Sequence, residues 1–319
     1  MPIVDKPLPD LLAYQGTNPR PADFDAYWER GLAQTRELGT DCERLPARFQ
    51  APGVSCEDMF FTGAHGARVH AKLLMPREAS KLPAALMFHG YSGSAGDWAD
   101  KLSYAASGFV VAALDARGQG GLSQDVGGVH GPTQNGMIIR GLSDPDPDRL
   151  LMRDVYLDTA QMARIVMSLP EVDPDRVGAI GGSQGGGLTL ACAALEPRVK
   201  RAAPMYPFLT DYKRVWEMDL SVAAYAEIRN YFRMFDPNHR REDEIFSKLG
   251  YIDVQHLAPR IRGEVLMMTG LMDTVCPPST QFAAYNKITA PKRVEIWPDF
   301  GHEGLPGGSD MTYQFMLGL

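Results

Sequence analysis

From about residue 83 onward, the chain alternates between two hydrophobic patterns. Short runs of consecutive apolar residues are separated by longer segments in which apolar residues recur every three or four positions. Runs of the first kind are typical of strands buried on both faces, and segments of the second kind of amphipathic helices. We therefore predict an α/β fold with a mostly parallel central sheet and helices on both faces. The predicted strands are PAALMFHG, FVVAALDARG, RVGAIGG, RAAPMYP, GEVLMMTG and KRVEIWP.

Two regions depart from this alternation. Before it, residues 22–38 have apolar positions at helical spacing, and residues 59–76 contain two runs joined by the glycines at 63 and 66, which indicates a hairpin. After the fourth run, residues 207–260 are rich in Tyr, Phe, Met and charged residues, and we expect helices lying over the edge of the sheet. We interpret residues 1–319 as one domain, with an N-terminal extension and first strands over 1–80 and a helical insertion over about 207–260.

Composition narrows the class of protein. The net charge is −7 and no long basic run occurs, which argues against a nucleic-acid partner. The first 21 residues lack the apolar core of about 7–15 residues that a secretory signal needs, and no stretch approaches the ~20 apolar residues of a membrane span. The four cysteines are scattered without a C-x-x-C pair, so neither a zinc site nor a disulfide framework is indicated. We expect a cytoplasmic protein without a membrane partner.

One serine stands in an unusually glycine-rich stretch. Gly181-Gly182-Ser183-Gln184-Gly185 matches G-x-S-x-G and lies between a predicted strand and a predicted helix. This is where an α/β-hydrolase holds its nucleophile, on a sharp and strained turn. Glycines two positions before and after Ser183 would remove side chains that clash with the neighbouring strand and helix. The alternative is a glycine-rich turn with an incidental serine.

A base and an acid follow in the order that this fold requires, serine, acid, histidine. His302 lies in the turn after the last predicted strand, whereas His239 and His256 fall in the polar insertion, where a solvated or capping role is favoured. Asp273 ends a predicted strand just before two prolines. Asp299 competes for the role, but it would have to bend back on the loop that carries the histidine. In such a triad the histidine takes the serine proton, and the acid fixes its tautomer and stabilises the cation.

Loops after two earlier strands supply candidate supporting groups. The backbone N–H of Gln184, at a helix start, and that of Tyr91, in the loop after the first run, are the candidate oxyanion donors, although that loop could be a simple strand-to-helix turn. His89 suits a buried structural role. Arg117 could be a charge clamp between loops or a solvated side chain, and Glu303 suits a loop anchor rather than a triad member.

Several motifs together resemble one family. Arg117-Gly118-Gln119, the G-x-S-Q-G stretch at 181–185 and His302-Glu303 resemble the RGQ, G-x-S-Q-G and HE motifs of carbohydrate esterase family 7, acetyl xylan esterases that also deacetylate cephalosporin C. The segments at 89–98 and 270–286 are similar to the same family. This resemblance covers most of the chain and implies the α/β-hydrolase fold.

The resemblance also implies roles for individual residues. Ser183, Asp273 and His302 correspond to the catalytic triad, and Tyr91 and Gln184 to the oxyanion donors. The remaining motif residues correspond to structural support: Arg117, Gln119 and Glu303. The family further implies a cytosolic homohexamer built as a trimer of dimers.

We therefore expect a serine carboxylesterase that removes O-acetyl groups from small acetylated carbohydrates or antibiotics, such as xylo-oligosaccharides and cephalosporin C, through an acetyl-enzyme. Neither a metal nor an organic cofactor is implied. An α/β-hydrolase peptidase or longer-acyl esterase with the same triad is the first alternative. A non-catalytic binding scaffold is the second.

Overall fold

Nine strands form one sheet in the computed structural model, which describes residues 4–126, 128 and 136–319. Their order across the sheet is β1-β2-β3-β5-β4-β6-β7-β8-β9. All six strands predicted from the apolar runs are present, and so is the predicted hairpin. In chain order the strands are β1 (Cys42–Pro46), β2 (Val54–Thr62), β3 (Arg68–Pro76), β4 (Leu82–Phe88), β5 (Val110–Leu114), β6 (Val172–Gly182), β7 (Arg201–Met205), β8 (Glu264–Gly270) and β9 (Lys292–Trp297).

Strand direction divides the sheet into two parts. Strands β4 to β9 pair in parallel, as predicted for runs separated by helices. Strands β1, β2 and β3 pair antiparallel, and β3 joins the parallel part by pairing antiparallel with β5. The short β1, whose residues are mostly exposed, was not predicted because it has no apolar alternation.

Helices cover both faces of the sheet. Alternate residues of β4 point to opposite faces: Ala84 and Leu86 join the core under α4 and α5, whereas Ala85 joins a second core under α3 and α11. None of the described helices combines the length and the apolar character that crossing a bilayer requires. The helices are α1 (Leu8–Ala13), α2 (Phe24–Glu37), α3 (Leu102–Ala106), α4 (Leu151–Ser168), α5 (Gln184–Leu195), α6 (Tyr212–Glu217), α7 (Ala226–Phe235), α8 (Glu242–Leu249), α9 (Val254–Leu257), α10 (Pro278–Lys287) and α11 (Gly308–Leu317).

The insertion at 207–260 is helical, as predicted, and comprises α6 to α9 with short 3₁₀ turns. Its contacts run to the helical layer rather than to an edge strand. The Tyr156 hydroxyl of α4 donates to Ile252 O (2.9 Å), and Arg214 Nε of α6 donates to Ser279 Oγ of α10 (3.1 Å). The insertion is therefore an outer cover on the face that α4, α5 and α10 occupy.

The parallel strands determine where functional side chains can meet. Strands β4, β6 and β8 end at Phe88, Gly182 and Gly270, and the loops that follow them leave the same edge of the sheet. Ligands of open α/β sheets bind at this carboxyl edge. The candidate nucleophile, acid and oxyanion donors all lie in these loops.

Candidate active site

Ser183 lies on a strained turn between β6 and α5. Its backbone has φ +57° and ψ −121°, a conformation that side-chain-bearing residues rarely adopt. Three backbone hydrogen bonds hold it: Ser183 N–H donates to Met205 O (3.0 Å), and Ser183 O accepts from the N–H groups of Gly187 (3.1 Å) and Phe208 (3.0 Å). The turn therefore presents the hydroxyl at the carboxyl edge of the sheet.

The glycines around Ser183 are required by close backbone contacts. A Cβ on Gly181 would lie 2.5 Å from Gly185 O, and one on Gly185 would lie 2.1 Å from Phe88 O. Both distances are far below van der Waals contact with backbone atoms, which cannot move aside cheaply. The predicted clash two residues before and after the serine is confirmed.

Three predicted side chains form a continuous hydrogen-bonded chain. His302 Nε2 lies 3.0 Å from Ser183 Oγ, and His302 Nδ1 lies 2.9 Å from Asp273 Oδ2. The other oxygen, Asp273 Oδ1, accepts the N–H groups of Val275 and Cys276, each at 2.8 Å. Asp273 is fully buried, whereas the His302 side chain is 22% exposed. The carboxylate therefore has one oxygen fixed by the backbone and the other directed at the imidazole.

The competing residues lie elsewhere. Asp299 is exposed, and it is Asp273 that contacts Nδ1 of His302. His239 is also exposed and faces Glu242 at 3.6 Å. His256 is buried, not solvated; burial, followed by nearby positive charges, lowers its pKa to about 3, so the ring is neutral. The catalytic roles of the serine, histidine and aspartate remain predictions, which this geometry supports.

The candidate oxyanion donors lie on two loops that face each other. Tyr91 follows β4, and Gln184 is the first residue of α5, where an N–H has no earlier helical carbonyl to bind. The Tyr91 hydroxyl accepts the N–H of Met137 (3.2 Å), and its ring packs edge-on against Phe208 at 5.9 Å between centroids. These contacts hold the loop near Ser183, and the donor roles stay a prediction.

Gln119 connects these two loops through a pair of amides. Its Oε1 accepts the backbone N–H of Ser92 (2.8 Å) and Nε2 of Gln184 (3.0 Å), and its Nε2 donates to Oε1 of Gln184 (2.9 Å). The backbone donor at Ser92 fixes which end of the Gln119 amide is the oxygen. The residue next to Tyr91 is thereby joined to the residue after Ser183. The family resemblance was the only sequence signal for this role.

Arg117 is fully buried and holds three elements together. Its Nε and Nη2 form a bidentate pair with Asp158 of α4 (2.6 and 2.7 Å), and Nη2 also donates to Ala64 O in the β2–β3 turn (3.0 Å). Asp154 lies 3.5 Å from Nη1, and burial raises the pKa of Asp154 to about 7. Arg117 is therefore a buried charge clamp and not a solvated side chain, but it joins its loop to α4 and to the β2–β3 turn instead of to the loop after β4.

Two more predicted residues have structural contacts. Glu303 Oε1 accepts the N–H of Gly301 (3.0 Å), which braces the loop that carries the candidate base. His89 is half-buried; its Nε2 accepts the N–H of Ala116 (3.0 Å), so Nδ1 carries the hydrogen that it donates to Gly90 O (2.7 Å). Burial lowers the pKa of His89, consistent with a neutral ring.

Two residues beside the candidate base, Tyr206 and Cys276, were not predicted from the sequence. The ring of Tyr206, just after β7, packs against the His302 imidazole at 4.6 Å between centroids. Cys276 is fully buried, and burial, together with Asp273, raises the pKa of its thiol well above the usual value. No pattern in the chain marks either residue, although Cys276 lies only three positions after Asp273.

Potential metal ligands coincide with the same side chains. Asp273, Cys276 and His302 each offer one ligand atom, and these three atoms lie within 4.8 Å of one another. No cofactor was expected from the sequence. Ser183, His302 and Asp273 together place a hydroxyl beside a hydrogen-bonded imidazole and a buried carboxylate, an arrangement that is suited to acyl transfer.

Comparison with known proteins finds relatives that are described as acetyl esterases. The profile of the family described as acetyl xylan esterase (AXE1) matches residues 1–319. The acetyl esterase Axe7A of Xylanibacter ruminicola is 29% identical over 318 residues, which cover 98% of this chain and 69% of that protein. Among solved structures, acetyl xylan esterase 1 from Thermoanaerobacterium sp. JW/SL YS485 is 58% identical with a TM-score of 0.96, and the acetyl xylan esterase from Paenibacillus sp. R4 is 36% identical with a TM-score of 0.91. Each comparison covers 98% of this chain and 99% of the other.

Proposed function

The chain belongs to the acetyl xylan esterase family and is a carboxylic ester hydrolase, and from that premise we propose that it is a serine esterase that deacetylates short acetylated sugars. Acetylated xylo-oligosaccharides are its expected main substrates, and cephalosporin C is a second acetyl ester of suitable size. The observation that carries this proposal is the unbroken hydrogen-bonded chain from Ser183 Oγ through His302 to Asp273.

Acylation begins with the serine hydroxyl. As Ser183 Oγ attacks the acetyl carbonyl carbon, its proton passes to His302 Nε2, 3.0 Å away. Asp273 keeps the ring hydrogen on Nδ1, which leaves Nε2 free to accept, and its negative charge stabilises the imidazolium that forms. The sugar oxygen then leaves with the proton from His302, and the acetyl group stays on the serine.

Deacylation repeats the same steps with water. His302 takes a proton from a water molecule that attacks the acetyl carbonyl, and the proton then returns to Ser183 Oγ as acetate departs. In both halves the carbonyl oxygen becomes negative, and the N–H groups of Tyr91 and Gln184 are our candidate donors to it. Such donors contribute about 2.7–4 kcal/mol each to the transition state.

The direct test measures acetate release from acetylated xylo-oligosaccharides and from cephalosporin C. We expect the wild type to be active and Ser183→Ala to lose at least ~10⁴-fold in kcat. A fluorophosphonate probe should label the wild type at Ser183. Absence of labelling in folded protein would support the non-catalytic scaffold instead.

A second assay separates the proposal from its enzymatic alternative. A series of p-nitrophenyl esters from acetate to octanoate should give the highest kcat/KM at acetate. Activity that rises toward octanoate would contradict the deacetylase assignment and favour a longer-acyl esterase with the same triad.

Assembly and location stay predictions. The family resemblance predicts a homohexamer, which size-exclusion chromatography with light scattering tests directly. A cytoplasmic location is likewise expected and is tested by fractionating cells that express the native gene.

A further inference from the structure

We propose that the chain binds one soft divalent cation, of the class of Zn²⁺ or Co²⁺, on Cys276, His302 and Asp273, and that the bound cation blocks ester hydrolysis. Binding itself is independent of the proposed function. Only the block of hydrolysis depends on that function.

The spacing of the ligand atoms suits such an ion. One sulfur, one ring nitrogen and one carboxylate oxygen lie within 4.8 Å of one another. Ligands on a tetrahedral zinc ion, with Zn–S near 2.3 Å and Zn–N near 2.0–2.1 Å, are about 3.3–3.8 Å apart. His302 Nδ1 and Asp273 Oδ2, now 2.9 Å apart, would have to separate by only a few tenths of an ångström. For this pair, a small side-chain movement is therefore sufficient.

Burial and charge favour a divalent ion over a monovalent one. Cys276 and Asp273 are fully buried, so a charge placed between them must be balanced locally. A thiolate and a carboxylate together balance a 2+ ion, and the neutral imidazole completes a sulfur, nitrogen and oxygen set. Thiolate and imidazole select zinc and similar metals over Mg²⁺ or Ca²⁺. The imidazole, 22% exposed, gives the ion an entrance.

The same arrangement explains why the ion would inhibit. Catalysis needs the ring hydrogen on Nδ1, where it faces Asp273, and a free lone pair on Nε2. A metal on Nδ1 needs the opposite tautomer, so the ring hydrogen moves to Nε2 and the thiol proton goes to solvent, one proton in all. A ring in that state cannot accept the proton of Ser183. Metal binding and catalysis are therefore mutually exclusive at one imidazole.

The thiol distinguishes this site from an ordinary aspartate–histidine pair. Cys192 is a second fully buried cysteine, but its Sγ contacts Thr159 O at 3.5 Å, in the core between α4 and α5. Cys192→Ala therefore removes a buried thiol without touching the proposed site. It is the matched control for Cys276→Ala.

The test combines spectroscopy with inhibition. Purified protein, stripped with a chelator, is titrated with Co²⁺; we expect one ion per chain and a thiolate-to-cobalt charge-transfer band in the near ultraviolet, present in Cys192→Ala and absent in Cys276→Ala. The Zn²⁺ concentration that halves acetyl ester hydrolysis should rise at least about tenfold in Cys276→Ala, relative to that variant's own activity, and chelator should restore the wild type.

Either of two results overturns the proposal. One is the absence of the thiolate band in folded wild type, which requires no variant and stays informative if Cys276→Ala fails to fold. The other is equal zinc sensitivity of Cys276→Ala and wild type. A wild type that shows the cobalt band but no esterase activity would instead retain the metal site and reject the proposed function.

Discussion

Among the described residues, His302 and His70 each form a hydrogen bond with a carboxylate through Nδ1, yet their surroundings give them different chemistry. His302 Nδ1 lies 2.9 Å from Asp273, and His70 Nδ1 lies 2.6 Å from Asp115. In both pairs the aspartate is almost completely buried and also accepts backbone N–H groups. Judged from this side alone, either histidine could be the base of a triad.

The second ring nitrogen separates them. His302 Nε2 faces the hydroxyl of Ser183 at 3.0 Å, whereas His70 Nε2 faces the carboxylate of Asp58 at 3.0 Å. A hydroxyl can donate to a free lone pair, but a carboxylate only accepts. His70 therefore satisfies both neighbours only when both its nitrogens carry hydrogen, and such a ring has no lone pair with which to take a proton.

The chemistry of a carboxylate–histidine pair therefore depends on the group that faces the second ring nitrogen, Nε2. Asp115 also accepts the N–H groups of Ala95 (2.6 Å) and Leu122 (2.9 Å). Although burial opposes ionisation, His70 and these N–H groups hold the pKa of Asp115 below its usual value. The His70–Asp115 pair thus joins β3 to the loops after β4 and β5. Its role is structural, because these loops carry the residues around the candidate active site.

The largest effect is expected when the two histidines are removed one at a time. His302→Ala should lower kcat for acetyl ester hydrolysis by about 10⁴-fold, because no other group can take the serine proton. Its stability should fall less than that of a variant of the fully buried His70, because the His302 side chain is partly exposed and water can take its place beside Asp273. Steady-state kinetics and calorimetry measure both. His239→Ala, at an exposed histidine far from the triad in sequence, is the control, and a residual kcat within tenfold of wild type would refute the role of His302.

His70→Gln should give the converse result. Removing the fully buried ring takes a hydrogen-bond partner from the buried carboxylate of Asp115, and leaving a buried charged group without a partner costs on the order of 3 kcal/mol. We expect the free energy of unfolding in urea to fall by about that amount, with kcat reduced less than tenfold. An unchanged urea midpoint would mean that Asp115 does not depend on the ring, and a 10⁴-fold loss of kcat in folded protein would make His70 part of the chemistry.

The parallel strands could be predicted from the sequence, and so could the three side chains that meet at their carboxyl edge. Buried parallel strands produce near-continuous apolar runs, which here alternate with helical patterns. The Ser183 turn combines a local motif with glycines that its geometry demands. The loops after β8 and β9 then left few candidates for the acid and the base. Local patterns and chain order are visible without coordinates, so these parts could be predicted.

The partners of the supporting residues could not be predicted, because each contact joins residues that are distant in sequence through single side chains. His70 and Asp115 are 45 positions apart, and Gln119 and Gln184 are 65 apart. A buried polar residue has no periodicity that distinguishes it from an exposed one. Strand β1 was missed for a related reason, since its pairing with β2, rather than its own residues, defines it as a strand.

Two buried acids, Asp273 and Glu227, differ in how many of their oxygens have hydrogen-bond partners. This difference should make the stability of the protein depend on pH. Asp273 has partners on both oxygens, whereas Glu227 Oε2 accepts the Ile138 N–H (2.8 Å) and Oε1 has no partner among the described residues. Burial raises the pKa of Glu227 to about 7. The folded state then holds this proton more tightly than the unfolded state, so the contribution of Glu227 to stability falls as pH rises from its ordinary value through 7.

Glu227→Gln should remove that loss. The variant should match the wild type at about pH 5 and exceed its free energy of unfolding at about pH 8.5, by an amount of the order of 3 kcal/mol. Urea unfolding at both pH values measures the difference. Glu303→Gln, at an exposed carboxylate, is the control that should show no such divergence. Parallel stability curves for Glu227→Gln and wild type would show that the Glu227 carboxylate is ionised and satisfied in the folded protein.

The smallest expected effect tests whether the amide pair positions the oxyanion donors. Gln119→Leu keeps the side-chain volume but removes the acceptor for Ser92 N–H and Gln184 Nε2, so the loops that carry Tyr91 and Gln184 lose their direct connection. Misplaced donors stabilise the transition state less while ground-state binding is retained, so kcat should fall about tenfold with KM nearly unchanged. Gln161→Leu is the matched control, because Gln161 is a buried glutamine of α4 whose Nε2 donates to Gly39 O (2.8 Å). Both variants should be destabilised to a similar extent, but kcat should fall only in Gln119→Leu. Equal losses of kcat in the two variants would mean that Gln119 contributes only to packing.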